Sequence, residues 1–322
     1  MIKIQSKVIK TIILAIIVII IVGIAPFKTS TITILSTVLI YGIAAMGYNV
    51  LLGYAGQISL GHAAFIGLGA YVSAYATDVM GIPFLFAVLL SGIIPIILGL
   101  ILGGVALRLE GHYLAIATLG FGVTVQQLFK VLTKFTNGFA GRIAPSAYIF
   151  GNKIKGVGYL IMLIMITTFL AIIIENILKT KTGRAFIAMR DSEHAAKAMG
   201  IDIVKYKLIA FSISAFYAGI AGSLYMHLVK YTQPDVWGSV LSINILAMVV
   251  IGGLTSVGGS ILGAAFIVLM PHLVAGIPYV NTIPSASIII TGIVIVIIIR
   301  FMPMGLITFV NRFKRRVTNV RG

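Results

Sequence analysis

The sequence contains no cysteine and few charged residues. None of its 322 residues is Cys, and only 10% are charged, compared with about 25% in an ordinary soluble domain. The missing cysteine excludes disulfides, thiolate metal sites and a cysteine nucleophile. Because 60% of the residues are hydrophobic, the chain cannot bury its apolar side chains in one water-soluble fold, and lipid is expected to be its solvent.

Acidic residues and catalytic motifs are scarce as well. There are seven acids and no GxxxxGK[ST] phosphate loop, so this chain is not expected to bind ATP by that route. No acid lies near the middle of an apolar run, which argues against an ion-coupled carrier. The five histidines show no metal-ligand spacing and the serines no triad pattern. No metal, other cofactor or enzymatic activity is therefore predicted.

Long apolar runs account for most of the chain. A helix needs about 20 residues to cross the hydrocarbon core. The runs predict an all-α polytopic membrane protein with about ten transmembrane helices, some re-entrant or broken, forming one permease-like domain over 1–322. The predicted spans are 8–25, 31–52, 60–77, 84–107, 113–129, 157–178, 208–228, 240–254, 260–275 and 285–302. We interpret the first as a retained helix rather than a signal peptide.

The net charge of +17 indicates membrane orientation rather than nucleic-acid binding. Lys and Arg concentrate in the N-terminal residues, in the loop 179–207 and in the tail 303–322 with Arg300 just before it. An even number of predicted spans separates these three regions, so all three are placed in the cytoplasm, with both termini inside. The loop 130–157 is also basic although this topology places it outside. The predicted location is the plasma or inner membrane.

The cytoplasmic loop has helix start and stop signals. Gly183 is expected to end the sixth helix, and Asp191 or Ser192 to cap a short second helix with Glu193 in its first turn. Gly200 suits the left-handed position that ends that helix. Such a segment either docks in a partner's groove or lies on the lipid headgroups. Its apolar faces are formed by Phe186 with Met189, and by Ala195 and Ala196 with Met199.

Two glycine-rich stretches, 53–69 and 252–263, are expected to interrupt membrane helices. Free backbone groups at such interruptions are tolerated only against protein or a water-filled cavity, so the pair predicts a translocation path between two halves. Alternatively, the polar residues there only form bonds between helices. The candidate path residues are Asn49, Gln57, Ser59, His62, Asn244, Gly252, Gly253, Gly258 and Gly259.

Several segments resemble the M-type permease subunits of branched-chain amino acid ABC importers. The similarity runs from about residue 41 to the tail, while the outer stretch KFTNGFAGRIAP departs from the family pattern. The similar segments, in the family's order, are GYNVLLGYAGQISLGHAAFIGLGAY at 47–71, LRLEGHYLAIATLGFG at 107–122, GRAFIAMRDSEHAAKAMGID at 183–202 with the helix after it, and SINILAMVVIGGLTSVGGSILGAAF at 242–266.

The resemblance implies an ABC type II-like importer permease for Leu, Ile and Val. It implies as partners ABC ATPase subunits, a second homologous permease and an extracytoplasmic solute-binding protein in a lipid bilayer, and no nucleic acid. The implied ATPase-coupling residues are Gly183, Arg184, Arg190, Asp191, Glu193, Ala195, Ala196, Met199 and Gly200. The alternatives are a permease of the same group for urea, short amides or another small solute such as a sugar, and an ion-coupled secondary transporter.

Overall fold

The protein is a bundle of helices. The computed structural model describes residues 12–13, 15–23, 27–106, 109, 111–149, 151–276, 286–301 and 305–308. Residues 12–13 and 15–23 are helical. The helices that follow are α1 (Thr29–Asn49), α2 (His62–Asp78), α3 (Phe84–Ala106), α4 (His112–Val131), α5 (Thr133–Thr136), α6 (Val157–Lys179), α7 (Lys181–Asp191), α8 (Glu193–Ala198), α9 (Ile203–Val229), α10 (Ser239–Gly252), α11 (Val257–Ala275) and α12 (Ala286–Phe301).

Short irregular elements join these helices. A π-helical turn, Val50–Tyr54, continues α1, and 3-10 turns occupy Gly138–Ala140 and Pro234–Trp237. Strand β1 (Arg142–Ile143) pairs antiparallel with β4 (Tyr231–Thr232), and β2 (Tyr148–Ile149) with β3 (Asn152–Lys153). All four strands lie at the end of the bundle where α6 begins and α9 ends. We call this the opposite end, because α7 and α8 lie at the other.

The prediction of a multi-pass helical protein is confirmed, but the count of ten spans is not. Among the residues that the structure describes, six helical stretches are long and apolar enough to cross a membrane. The helices α2, α10 and α12 coincide with predicted spans but have only 17, 14 and 16 residues. The first predicted span lies partly outside the described residues, as does most of the tail. The six stretches are Thr29–Tyr54, Phe84–Gly104, His112–Val131, Val157–Lys179, Ile203–Val229 and Val257–Val274.

The seventh predicted span begins too late in the chain. The sequence places its start at residue 208, whereas α9 begins at Ile203, where the Asp202 side chain accepts a hydrogen bond from the Lys205 amide. Lys205 and Lys207 therefore belong to the helix rather than to the loop. A capping carboxylate fixes a helix start more firmly than the beginning of an apolar run.

Helix α9 lies at the centre of the bundle, packed against α1, α2 and α3. Small residues permit this close approach. A side chain on Gly219 would collide with the Ser91 carbonyl of α3, and one on Gly69 of α2 would collide with Gly219 itself. Small residues at helix crossings are typical of membrane bundles, where helices associate by close packing rather than by hydrophobic exclusion.

Helices α10 and α11 form an antiparallel pair joined by the turn 253–256. Gly252 and Gly259 face each other so closely that a Cβ on either would strike the other's backbone. The Ser256 side chain caps α11 by accepting a hydrogen bond from the Gly259 amide. The eighth and ninth predicted spans are thus a helix–turn–helix unit, and α1 packs against both of its arms.

Candidate functional site: the α7–α8 segment and the two helix interruptions

The α7–α8 segment is built largely from the local signals in its sequence. Ser192 caps α8 by accepting a hydrogen bond from the Ala195 amide at 3.2 Å, and Glu193 occupies the first turn. Gly200 has a φ of +81°, the left-handed conformation that ends the segment. Of the two predicted caps, the structure uses Ser192. The Asp191 carboxylate is instead paired with the Arg190 guanidinium at 2.8 Å.

The predicted helix break at Gly183 is wrong. Helix α6 ends at Lys179, and the extended residue Thr180 caps α7 by accepting a hydrogen bond from the Thr182 amide. Gly183 lies inside the first turn of α7, where a Cβ would collide with the carbonyl of Leu178. The glycine therefore permits the tight reversal between α6 and α7 without itself ending a helix.

The two predicted apolar faces of the segment have different environments. Phe186 and Met189 are 0% and 1% exposed, and the Phe186 ring packs edge-on against Tyr206. This face anchors α7 to the rest of the chain. On α8, Ala196 is buried, whereas Met199 is 82% exposed. Met199 and the exposed Ala195 therefore remain on the free surface of the segment.

Helix α7 rests on the first interruption, defined as residues 50–61. The Arg190 guanidinium donates a hydrogen bond to the carbonyl of Gly53 at 3.2 Å. Gly56, with a φ of +71°, lies against the same arginine, so that a Cβ there would touch the Arg190 side chain. Arg190 thus joins a backbone carbonyl left free by the end of α1 to the carboxylate of Asp191.

Glu193 joins three parts of the chain. One of its carboxylate oxygens accepts a hydrogen bond from the Gln57 amide at 3.1 Å, and the other lies 2.8 Å from the Lys207 ammonium. The Lys207 side chain is only 2% exposed. The first interruption, helix α8 and the first turns of α9 therefore meet at one carboxylate.

Asn49 is the last residue of α1 and directly precedes the first interruption. Its side chain contacts the second interruption, defined as residues 253–256. Its amide nitrogen lies 2.8 Å from the Ser260 hydroxyl, 3.0 Å from the Ser256 carbonyl and 3.4 Å from the Gly253 carbonyl. Its amide oxygen accepts a hydrogen bond from the backbone N–H of Thr255 at 3.1 Å. Asn49 is 1% exposed, so a single buried side chain makes four polar contacts at the second interruption and supplies the acceptor for the Thr255 N–H.

The other candidate path residues have various positions. The carbonyl of Ser59 accepts a hydrogen bond from the Tyr48 hydroxyl, and the ring of His62 lies 4.8 Å from that of Tyr48. Both Ser59 and His62 are fully buried. Asn244 is half-buried on α10. Whether these residues line a path remains a prediction.

The candidate glycines in and beside the second interruption have two different environments. Gly252, Gly253 and Gly259 are buried in close backbone contacts. Gly258 is exposed and lines a cavity of about 460 Å³ at the α7–α8 end. Tyr54, Lys179 and Thr255 also line this cavity, which therefore opens between the end of α6 and both interruptions.

Sequence reasoning missed Lys207 and Ser260. The charge pattern places Lys207 in the loop 179–207, although Asp202 offers a helix cap that puts it on α9. Ser260 is the predicted start of a span, and nothing local in the sequence indicates its bond to Asn49. Within the described part of the chain, no group of three or more His, Asp or Glu residues could hold a metal ion.

Comparisons with known proteins agree with this architecture. The family model described as the branched-chain amino acid transport system / permease component matches residues 30–299. The high-affinity branched-chain amino acid transport system permease protein LivM of Salmonella typhimurium is 31% identical over 309 residues, covering 88% of this chain and 71% of that protein.

More distant relatives are similar over different lengths. A probable branched-chain amino acid transport permease protein LivM of Methanocaldococcus jannaschii is 24% identical, covering 83% of this chain and 90% of its own. The xylose transport system permease protein XylH of Haemophilus influenzae is 28% identical over 57% of this chain and 48% of its own. The length of the family match and the identity to the Salmonella protein together show that this chain belongs to the branched-chain amino acid transport permease family.

Proposed function

We propose that this chain is the transmembrane permease subunit of an ATP-driven ABC importer for branched-chain amino acids. Two related ATPase subunits, a second homologous permease and an extracytoplasmic solute-binding protein are its proposed partners. The family membership supports the transport role. The observation that carries the coupling role is the Glu193 carboxylate, which binds Gln57 of the first interruption and Lys207 of α9 at the same time.

The α7–α8 segment is suited to be moved by a bound partner protein. One face is fixed to the chain through Phe186 and Met189, while Met199 on the other side is exposed for a partner. A partner that moves α8 would move Glu193, and with it both the first interruption and the start of α9. Hydrogen bonds to charged groups contribute about 1.5–3 kcal/mol each, so these links are strong enough to move as a unit.

The movement of α8 can then be transmitted to the second interruption. Asn49, at the end of α1, holds the turn 253–256 through four hydrogen-bonding contacts. In the proposed mechanism, motion of the α7–α8 segment shifts both interruptions together and so opens or closes the exit of the path. The candidate path residues and the ATPase-coupling residues given above are part of this proposal.

The proposed topology has both termini in the cytoplasm and about ten spans. The helices α2, α10 and α12 are the short or broken members of that set. In this orientation, the α7–α8 segment and both interruptions lie at the cytoplasmic face, where an ATPase subunit would bind. The strands of the opposite end then face the solute-binding protein.

Two alternatives are a permease of the same group for another small solute and an ion-coupled transporter. The partial similarity to a xylose permease supports the first, since a shared scaffold serves more than one solute class. The second is less well supported, because the described carboxylates lie at helix ends or in connections. The one nearest a span interior is Glu175, four residues before the end of α6 and 3.8 Å from Lys179. Buried mid-membrane carboxylates are the usual feature of ion-driven carriers.

Reconstitution tests the proposal. The chain is incorporated into vesicles with the ATPase subunits, second permease and binding protein proposed as its partners, and uptake of labelled leucine, isoleucine and valine is measured with ATP inside the vesicles. Uptake that requires ATP, the binding protein and the ATPase subunits is expected. Uphill uptake by this chain alone on a proton or sodium gradient would overturn the proposal.

A further inference from the structure

A small cavity with three lysines in its wall lies at the opposite end of the bundle. It has a volume of about 240 Å³ and forms where the N-terminal ends of α1 and α6 meet the C-terminal end of α9 and strand β3. The residues that matter for its chemistry are Thr29, Ser36, Lys153, Lys155, Gly156 and Lys230. They come from three distant parts of the sequence, so only the folded chain brings them together.

The cavity is positively charged without internal compensation. Lys153, Lys155 and Lys230 line it, and no acidic residue does. None of the three has a carboxylate partner among the residues that the structure describes. Two other cations at this end are neutralised, because Lys130 pairs with Asp235 at 2.8 Å and Arg142 with Asp78 at 3.2 Å. The cavity therefore gathers three lysines whose charge no described carboxylate compensates.

Its walls also hold hydrogen-bond donors that have no partner. The Ser36 hydroxyl is fully buried and unpaired within the described chain. Helices α1 and α6 begin at the cavity, and neither start has a side-chain cap. The free N–H groups at a helix start attract anions, and an unpaired buried hydroxyl is costly unless a ligand satisfies it. Lysines, hydroxyl and helix starts together form a site for a phosphate group.

We propose that this cavity binds the phosphate of an anionic phospholipid headgroup. Its position favours a lipid over a soluble anion. Ile32 lines the cavity and also belongs to an apolar cluster with Val22, Leu160 and Ile164. The cluster itself is buried, but Val22 belongs to the helical stretch 15–23, whose Ile20 and Ile21 are each 54% exposed. A phosphate in the cavity therefore leaves the acyl chains beside the apolar face of that helix. The site is independent of which solute the protein transports.

The site also accounts for a departure from the charge rule. Lys and Arg are normally depleted from extracytoplasmic loops, yet the loop after α4 carries several. An anionic headgroup would compensate Lys153 and Lys155 of this loop, together with Lys230 at the end of α9. On this view the lysines are retained as lipid ligands rather than as a topology signal.

Lipid retention by the full-length chain tests the proposal. The protein is placed in nanodiscs of phosphatidylcholine with one-tenth phosphatidylglycerol, extracted, and the retained lipid is counted by native mass spectrometry. Selective retention of phosphatidylglycerol is expected. K153Q/K155Q/K230Q should weaken it by about a hundredfold. The matched control K181Q/K197Q/K205Q removes three exposed charges at the other end and should leave retention unchanged. Melting in phosphatidylcholine alone confirms that each variant is folded.

A second variant and a soluble anion separate the remaining explanations. S36A should reduce retention several-fold if the hydroxyl binds the headgroup. Equal retention by S36A and the unmodified chain overturns the proposal, as does equal retention of the two lipids or equal loss in the control variant. Stabilisation by inorganic phosphate in detergent that matches the effect of phosphatidylglycerol also overturns it, since the site would then take a free anion.

Discussion

The Glu193 carboxylate and the Lys207 ammonium lie 2.8 Å apart where α8 meets α9. Their exposure differs, since the side chain of Lys207 is 2% exposed and that of Glu193 is 22% exposed. The lysine therefore depends on the pair more than the glutamate does. Glu193 can recover water when its partner is lost, whereas Lys207 would be left as an isolated buried charge.

This asymmetry predicts unequal losses of stability. E193Q leaves the buried ammonium without a counter-charge and should lower stability by about 3–5 kcal/mol, the usual cost of breaking a buried pair from one side. K207M should cost less. The double variant E193Q/K207M should recover part of the loss, because it buries no lone charge. Melting temperatures in detergent are measured for the unmodified chain, the two single variants and the double variant. Strictly additive shifts would contradict the predicted coupling between Glu193 and Lys207.

Gln57 offers a test of coupling with little effect on stability. Q57A removes the hydrogen bond to Glu193 but leaves the Glu193–Lys207 pair intact. ATP-driven uptake in the reconstituted complex should fall several-fold, while ATPase hydrolysis continues. Q126A is a control, since Gln126 is also a glutamine whose amide donates to a distant part of the chain, the Pro234 carbonyl at the opposite end of the bundle. If Q126A and Q57A reduce transport equally, the loss is not specific to the coupling segment.

The hydrogen bonds of Asn49 predict which of three substitutions destabilises the protein most. N49D keeps an acceptor for the Thr255 amide but places a carboxylate beside two carbonyls and the Ser260 hydroxyl, so it should be the most destabilising. N49A removes the acceptor of the Thr255 N–H and a donor to the Gly253 carbonyl, at about 1–3 kcal/mol for each group that water cannot reach. S260A removes only one partner and should be mildest. Melting temperatures of the three variants give the order, and a milder effect of N49D than of S260A would refute it.

Arg190 and Gly200 test whether the segment transmits force. R190E loses the bond to the Gly53 carbonyl and repels Asp191, and G200P cannot adopt the φ of +81°. Both variants should insert in the membrane normally and lose uptake. K205E serves as the control, because Lys205 is exposed near the start of α9, where a negative charge is favourable. Normal uptake by both variants would rule out the coupling role of the segment.

The central packing can be tested by adding one methyl group. G219A inserts a Cβ into the backbone of Ser91 and should destabilise the bundle by about 1–3 kcal/mol, as overpacking usually does. G104A is the matched control, since that helical glycine is exposed and faces open space. Yields of folded protein in detergent and melting temperatures give the comparison, in which a stable G219A would argue against the tight contact of α3 with α9.

The features that could be predicted from sequence are those set by neighbouring residues. Ser192, Glu193 and Gly200 act within one or two turns, so cap and stop preferences place them correctly. The hydrogen bonds that hold the site together could not be predicted from the sequence, because Gln57 and Glu193 are 136 residues apart and Asn49 and Ser260 are 211 apart. Local patterns hold no information about such pairs. The prediction of a helix break at Gly183 is wrong because a glycine that permits close packing looks the same in sequence as one that ends a helix.

Helix α9 runs without a proline from the Glu193–Lys207 pair to strand β4, which is bonded to β1. Its 27 residues span about 40 Å, roughly the thickness of a whole bilayer. A rod of that length acts as a lever, so that a tilt of about 4° at one face displaces the other by about 3 Å. Nucleotide-driven movement on one side of the membrane would thereby reshape the entrance on the other without any intermediate relay.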